Sequence, residues 1–215
     1  MAERLVCPIC SQRAPRRACP SLGHAICAVC CGTGREETIA CPFECEFLRE
    51  ARAHEKPESR ERHPLPNADV DVSERFMNEN ERLAIVLGRL LWIAAVNTEG
   101  AVDLDVRDAL DSLATTCKSA VAGLIYEARP ANAIAARIFE KFQTELAKFR
   151  EDVAQRVPEH AVRDRDVLGM VVFWQRMAYD RDNGRRKGRA FIESLFALLP
   201  SQAPEPDVAA RVTEG

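Results

Sequence analysis

The amino-acid sequence predicts a mainly α-helical fold in which a small cysteine-rich N-terminal module precedes a bundle of about five helices. Eight of the nine cysteines lie between Cys7 and Cys45. Through the middle of the chain, apolar residues recur at every third or fourth position, which is the spacing of helices with one buried face. No segment alternates with the period of two that indicates a strand. The chain has 215 residues, of which 47% are hydrophobic, and can therefore form one or two domains with buried cores.

The composition predicts four regions along the chain. They are a cysteine module at 1–50, a charged linker at 51–72, a helical bundle at 73–200 and a disordered tail at 201–215. Three prolines and many charged residues interrupt the linker, while the tail has few large apolar groups that could be buried. We therefore expect a folded core only in the module and in the bundle.

Helix-capping residues, prolines and glycines predict where five helices begin and end. The first runs from Ser73 to Gly100, the second from Asp103 or Asp105 to about Leu124, the third from Pro130 to Pro158, the fourth from Asp164 to Arg181 and the fifth from Lys187 to Leu199. Ser73 is expected to cap the first helix, and Pro130 to occupy the first turn of the third. Asn183 and Gly184 form a stop signal between the fourth and fifth helices.

Charge and hydropathy limit the classes of protein to which the chain can belong. The net charge of −3 gives no overall bias toward nucleic acid or an anionic membrane. No apolar run is long enough to cross a bilayer, and the first residues lack the apolar stretch of a signal peptide. We therefore expect a soluble, cytoplasmic protein with no membrane partner. In that reducing compartment, clustered cysteines indicate metal binding rather than disulfides.

The spacing of the cysteines predicts a zinc-binding module. Two residues separate Cys7 from Cys10 and Cys27 from Cys30, so that both sulfurs of each pair can reach one ion. Zinc favours thiolate and imidazole ligands in a tetrahedral set of four. The candidate ligands are Cys7, Cys10, Cys19, His24, Cys27, Cys30, Cys31, Cys41 and Cys45. A module this short buries little apolar surface, so the metal must supply folding energy.

The order of these residues is paired Cys, single Cys, His and two further Cys pairs, which resembles the RING and related treble-clef zinc modules. The resemblance covers about 50 residues and implies a cross-brace, in which alternate ligand pairs share an ion. One ion would bind Cys7, Cys10, Cys27 and Cys30, and the other Cys19, His24, Cys41 and Cys45. An all-cysteine alternative replaces His24 by Cys31. Nine candidates for eight places leave these two residues open as the eighth ligand.

Two filled tetrahedral sites predict structural rather than catalytic zinc, because a catalytic ion keeps one position open. The chain also lacks a nucleotide-binding glycine loop, a nucleophile elbow and a metalloprotease helix motif. The zinc-bound thiolates leave the module formally acidic, which favours a protein partner over a phosphate backbone. We therefore predict a non-enzymatic interaction or adaptor protein. Its helical domain would bind a second partner or self-associate, and the oligomeric state is left open.

A nucleic-acid-associated regulator is the first alternative. It would use the basic segments 13–17 and 181–189. Its candidate binding residues in the second segment are Arg185, Arg186, Lys187 and Arg189. Cations at the predicted start of the fifth helix oppose the helix dipole and need compensation. Asp180 and Asp182 could provide this compensation, which is the simpler solution, or an anionic partner could.

A RING-like ubiquitin ligase is the second alternative. Ile9 and Pro42 match positions with which such ligases grip the conjugating enzyme, so the resemblance implies this activity. Glu46 stands where active ligases often have a basic residue. This alternative rests on the likeness of fold alone.

Overall fold

The computed structural model describes residues 5–54, 65–157 and 161–198. Eight helices and one two-stranded sheet lie in these ranges, and the helices make up 59% of the described residues. The predicted fold class, mainly α with a small N-terminal region, is therefore confirmed. Within the same ranges, none of the helices has the length and apolar character that a membrane span requires.

The chain forms two compact units, and the first combines residues from two distant parts of the sequence. Of the described residues, 5–54 and 183–189 belong to this first unit. Its elements are strands β1 (Arg17–Cys19) and β2 (His24–Ile26) and helices α1 (Ala28–Gly34) and α2 (Glu46–His54). The strands pair antiparallel, with Cys19 opposite His24, and Gly23 takes a positive φ of 70° in the turn between them. Each strand has only three residues, which is too short for an alternating pattern to be visible in the sequence.

The second unit contains the remaining six helices. They are α3 (Glu74–Glu79), α4 (Glu81–Val96), α5 (Asp103–Val121), α6 (Ala133–Arg156), α7 (Asp164–Asp180) and α8 (Ala190–Leu198). The side chains that the apolar periodicity selected as core include the fully buried Leu87, Leu110, Ile138 and Phe142. Trp174 is buried as well, and its indole Nε1 donates a hydrogen bond to the carbonyl oxygen of Ala84 at 3.1 Å.

Several predicted helix ends are confirmed and others are corrected. Ser73 caps α3 as expected, since its hydroxyl accepts a hydrogen bond from the Phe76 amide at 3.3 Å. The predicted first helix is divided at Asn80 into α3 and α4. Helix α6 begins after Asn132, whose side chain accepts hydrogen bonds from two first-turn amides, so the expectation of Pro130 in the first turn was wrong. Pro158, its predicted end, lies outside the described residues.

The fifth predicted helix, α8, begins at Ala190, three residues later than expected. The four cations at 185–189 therefore precede the helix. Its first amides are bound by Asp103, whose buried carboxylate accepts hydrogen bonds from Phe191 N at 2.9 Å and Ile192 N at 3.1 Å. This carboxylate, 88 and 89 residues from these two amides in the sequence, complements the positive end of α8.

The predicted linker includes ordered structure at both of its ends. Residues 51–54 complete α2, residues 55–64 lie outside the described ranges, and 65–72 form an irregular segment before α3. In that segment the guanidinium of Arg176 donates hydrogen bonds to the carbonyl oxygens of Pro66, Asn67 and Val70. The predicted tail at 201–215 is also outside the described residues. The proposed domain boundaries stay predictions.

Candidate metal centre

Four of the predicted ligands converge in the first unit. The sulfur atoms of Cys7, Cys10, Cys27 and Cys30 all lie within 4.8 Å of one another. The distance from Cys10 Sγ to Cys27 Sγ is 3.9 Å. A tetrahedral zinc site with Zn–S bonds of about 2.3 Å places its sulfurs about 3.8 Å apart. The four thiols therefore form a cluster that could hold one metal ion.

Two tight backbone structures bring these sulfurs together. The first is a turn at Cys7–Cys10, where the carbonyl oxygen of Cys7 accepts from Ser11 N at 2.7 Å and Cys7 N donates to Arg13 O at 2.7 Å. The second is the start of α1, where Cys27 has extended backbone and its sulfur accepts from Cys30 N at 3.4 Å. Each CxxC pair thus bends so that both of its sulfurs face the other pair.

The four thiols differ in how readily they ionise. Hydrogen bonds from the backbone amides of Gln12 and Arg13 lower the pKa of Cys10 to about 6. The side chain of Cys27, together with burial, raises the pKa of Cys30 to about 12. Like charges this close cannot accumulate without a counter-ion. A divalent cation would remove this conflict, since it binds the deprotonated form of every ligand.

The other predicted ligands lie around the same small core, but their ligand atoms form no second cluster at that distance within residues 5–54. Cys41 and Cys45 are buried, while Cys19 and Cys31 are half-buried and pack against the same core. Burial raises the pKa of the Cys41 thiol, and the nearby charges of Cys45 and Cys19 act in the same direction.

The two candidates for the eighth ligand have different surroundings. His24 is exposed on β2, directly opposite Cys19. Cys31 is half-buried in α1, and its sulfur accepts a hydrogen bond from Arg17 Nη1 at 3.6 Å. Arg17 also lies over the ring of Phe47, with its Cζ 4.8 Å from the ring centroid. Both assignments stay predictions.

The basic segment at 185–189 lies against the module rather than in a helix. Arg185 Nη1 donates to the carbonyl oxygen of Arg35 at 2.8 Å, and Lys187 Nζ donates to that of Thr38 at 2.7 Å. The guanidinium of Arg189 lies 3.9 Å from the centroid of the Phe43 ring, whereas Arg186 is exposed. Three of the four predicted anion-binding cations therefore have partners in their own unit, which weighs against a nucleic-acid contact there.

Glu36 is the residue of this region that the sequence did not single out. Its carboxylate is fully buried and accepts hydrogen bonds from Arg52, Asn183 and the Arg189 amide. In the sequence it stands beside Glu37 with no distinguishing pattern. Its partners lie 16, 147 and 153 residues away, so no local signal could have identified it.

No family model, curated protein or solved structure was found to match the chain. The likeness to RING and treble-clef modules is supported only in its coarser part, a four-cysteine cluster that could hold a metal ion. The ligase alternative rests on Ile9, which is exposed, and on Pro42, which is half-buried. Their exposure does not test the activity, so this alternative stays a prediction.

Proposed function

We propose that the first unit is a structural zinc module and that the chain acts as a non-enzymatic protein-interaction protein. The observation that carries this proposal is the convergence of the Cys7, Cys10, Cys27 and Cys30 sulfurs within 4.8 Å. Four thiolates in a tetrahedral set are typical of zinc or of an iron–sulfur centre. Four protein ligands leave no open position for a reacting water, which favours a structural role.

A second zinc ion belongs to the same proposal, bound by Cys19, Cys31, Cys41 and Cys45. The burial of the last two and the packing of the first two against the core support this set. We favour Cys31 over His24 because a closed structural site removes its ligand atoms from water, and His24 is exposed. The guanidinium of Arg17 would also stabilise a thiolate at Cys31.

Native mass spectrometry of the full chain tests the metal proposal, with elemental analysis to identify the ion. We expect two zinc ions per chain. Cys31→Ser should lose one of them, and His24→Ala, the matched control, should keep both. Loss of an ion in His24→Ala alone would assign the eighth place to the histidine. A chain without zinc, or with iron, would contradict the proposal.

The interaction role is supported by exposed apolar side chains next to the first cluster. Leu5 is 80%, Val6 46% and Ile9 52% exposed. Neighbouring apolar groups left in water often mark a surface that binds another protein. Phosphate-binding surfaces are instead basic, and the predicted thiolates make this module acidic.

Affinity purification of the full chain, with Ile9→Ser and Leu22→Ser compared side by side, tests the interaction role. Leu22 lies in the turn between β1 and β2 and is 36% exposed, so it serves as an apolar control elsewhere on the module. We expect a protein that co-purifies with wild type and with Leu22→Ser but not with Ile9→Ser. Equal recovery from all three would remove this surface as the docking site.

A further inference from the structure

The loop that connects α1 to Cys41 is fixed tightly by its own backbone. The carbonyl oxygen of Gly34 accepts hydrogen bonds from the amides of Glu37, Thr38 and Ile39 at 2.9–3.2 Å. A Cβ at Gly34 would lie 3.0 Å from atoms of both Thr38 and Ile39, so a larger residue would force the loop apart. The loop therefore holds Glu36 in one place, between the segments that carry Cys30 and Cys41.

The buried carboxylate of Glu36 needs partners, because an unpaired charge away from water is very costly. Its Oε1 accepts from Arg52 Nη2 at 2.7 Å and from the Arg189 amide at 3.0 Å. Its Oε2 accepts from Asn183 Nδ2 at 2.9 Å. Two of these three donors lie at the opposite ends of the segment Asn183–Arg189, so this carboxylate joins the ends of that segment.

Backbone contacts add to those of the carboxylate. Lys187 N donates to the carbonyl oxygen of Glu36 at 2.6 Å. Arg185 and Lys187 donate their side-chain hydrogen bonds to the neighbouring carbonyl oxygens of Arg35 and Thr38. The module thus offers one carboxylate, three carbonyl oxygens and one aromatic ring to a segment that supplies amides and cations.

The segment itself has the shape of a compact turn. Gly188 N donates to the carbonyl oxygen of Arg185 at 2.9 Å, and Arg185 N donates to the Asn183 side chain at 3.1 Å. Gly184 has a positive φ of 69°, and a Cβ at the buried Gly188 would collide with the Asn183 side chain. These internal bonds shape the turn so that both of its ends reach Glu36.

We propose that the zinc module is a receptor for the chain's own basic turn, Asn183–Arg189, with Glu36 as its anchor, and that metal binding assembles this receptor. The inference rests on the proposed function, because the receptor loop lies between cysteines that the metal would fix. When metal is bound, the turn is docked and its cations are engaged. When metal is lost, the segments of Cys30 and Cys41 that flank the loop are no longer held together, and the turn with its cations is released.

Amide hydrogen exchange in the full-length, zinc-loaded chain tests the anchor. The amides to follow are those of Lys187 and Arg189, which donate to the Glu36 carbonyl and carboxylate. In Glu36→Gln, we expect the Arg189 amide to exchange about tenfold faster, because hydrogen bonds to a charged group are the stronger ones. Glu37→Gln is the matched control and should leave both amides unchanged. Equal exchange in wild type and Glu36→Gln would overturn the anchor.

A second variant keeps the test decisive if Glu36→Gln fails to fold. Arg185→Ala removes a cation that contacts the carbonyl oxygen of Arg35, without touching the buried carboxylate. It should speed exchange at Lys187 and leave the zinc content unchanged. Unchanged exchange at Lys187 in this variant would contradict the receptor as described.

Removal of zinc from the wild-type chain by a chelator tests the dependence on metal. We expect both amides to lose their protection, while the amide of Leu110 in α5 keeps its own. Retained protection of Lys187 and Arg189 in metal-depleted protein would overturn the coupling. The zinc content, measured on the same samples, keeps the two proposals distinguishable. A chain that never binds zinc defeats the proposed function, whereas a zinc-loaded chain that is insensitive to Glu36→Gln defeats only the receptor.

Discussion

The cysteine module and the helical unit bury their side chains in different ways. Among the described residues of the first unit, the buried core contains five cysteines and only three larger apolar residues, Ile26, Ile39 and Leu48. The second unit buries phenylalanine, leucine, isoleucine and methionine side chains along six helices. Apolar burial can therefore stabilise the helical unit, whereas the small module would depend on the proposed metal and on the contacts of Glu36.

Metal removal should produce the largest difference in stability between the two units. Structural zinc sites contribute on the order of 10 kcal/mol or more to folding, so a chelator should unfold the first unit. The helical unit, whose core contains no metal-ligand cluster in the described ranges, should keep its structure. Amide exchange followed along the whole chain would show this contrast. If the amides of α5 to α7 lost their protection from exchange together with those of α1, the two units would not be stabilised independently.

Truncation of a large core side chain should have the converse effect, in which the helical unit is destabilised and the first unit is not. Phe139 in α6 is 1% exposed. Phe139→Ala should destabilise the helical unit by about 3–5 kcal/mol, since it removes apolar contacts and leaves a cavity. Urea unfolding monitored by tryptophan fluorescence measures this, because Trp92 and Trp174 both lie in the helical unit. The zinc content measured before unfolding should not change, and a reduced content would mean that the module depends on this core.

Removal of the Asp103 carboxylate, which binds the first amides of α8, should have an intermediate effect on the stability of the helical unit. Asp103→Ala removes the acceptor for Phe191 N and Ile192 N and should cost about 1–2 kcal/mol. Faster amide exchange at these two positions would confirm the cause. The neighbouring Asp108→Ala is a control, because Asp108 does not bind these amides. Equal losses in both variants would show that the effect comes from charge alone.

Removal of the exposed ion pair between Lys118 and Asp69 should have the smallest effect on stability. Its Nζ–Oδ1 distance is 2.9 Å, and hydrogen bonding by Lys118 lowers the pKa of Asp69. A lowered folded-state pKa stabilises the fold above the usual aspartate range, and this contribution is lost as the pH falls through the folded pKa. In Lys118→Met, an NMR titration should show the pKa of Asp69 rising toward its usual value. An unchanged pKa would mean that the ion pair does not persist in solution.

The helices could be predicted because they depend on local periodicity. The bounds of α7 and the cap at Ser73 followed from capping residues and from apolar spacing within a few turns. The division at Asn80 was missed because apolar residues continue across it with helical spacing. The true cap of α6, Asn132, was missed because Pro130 is an equally valid start signal in sequence terms.

The candidate site could be predicted only where its ligands are close in sequence. The spacing of Cys7 with Cys10 and of Cys27 with Cys30 identified the cluster that the structure brings together. The buried Glu36 and Asp103 were not recognised as long-range anchors, because their distant partners lie between 88 and 153 residues away. Pairings over such distances depend on the tertiary fold and leave no periodic signal.

The two-part composition of the first unit has a consequence for synthesis on the ribosome. The last cysteine of the module, Cys45, emerges well before Arg189, whose amide completes the hydrogen bonds to the Glu36 carboxylate. At about 5–20 residues per second, the 144 residues from 46 to 189 take roughly 7 to 30 seconds to translate. During that interval the nascent module has its cysteines but lacks Asn183 and Arg189, which supply two of the three hydrogen bonds to its buried carboxylate. Its assembly is therefore completed only after α3 to α7 of the second unit have been translated, although its cysteines precede those helices in the sequence.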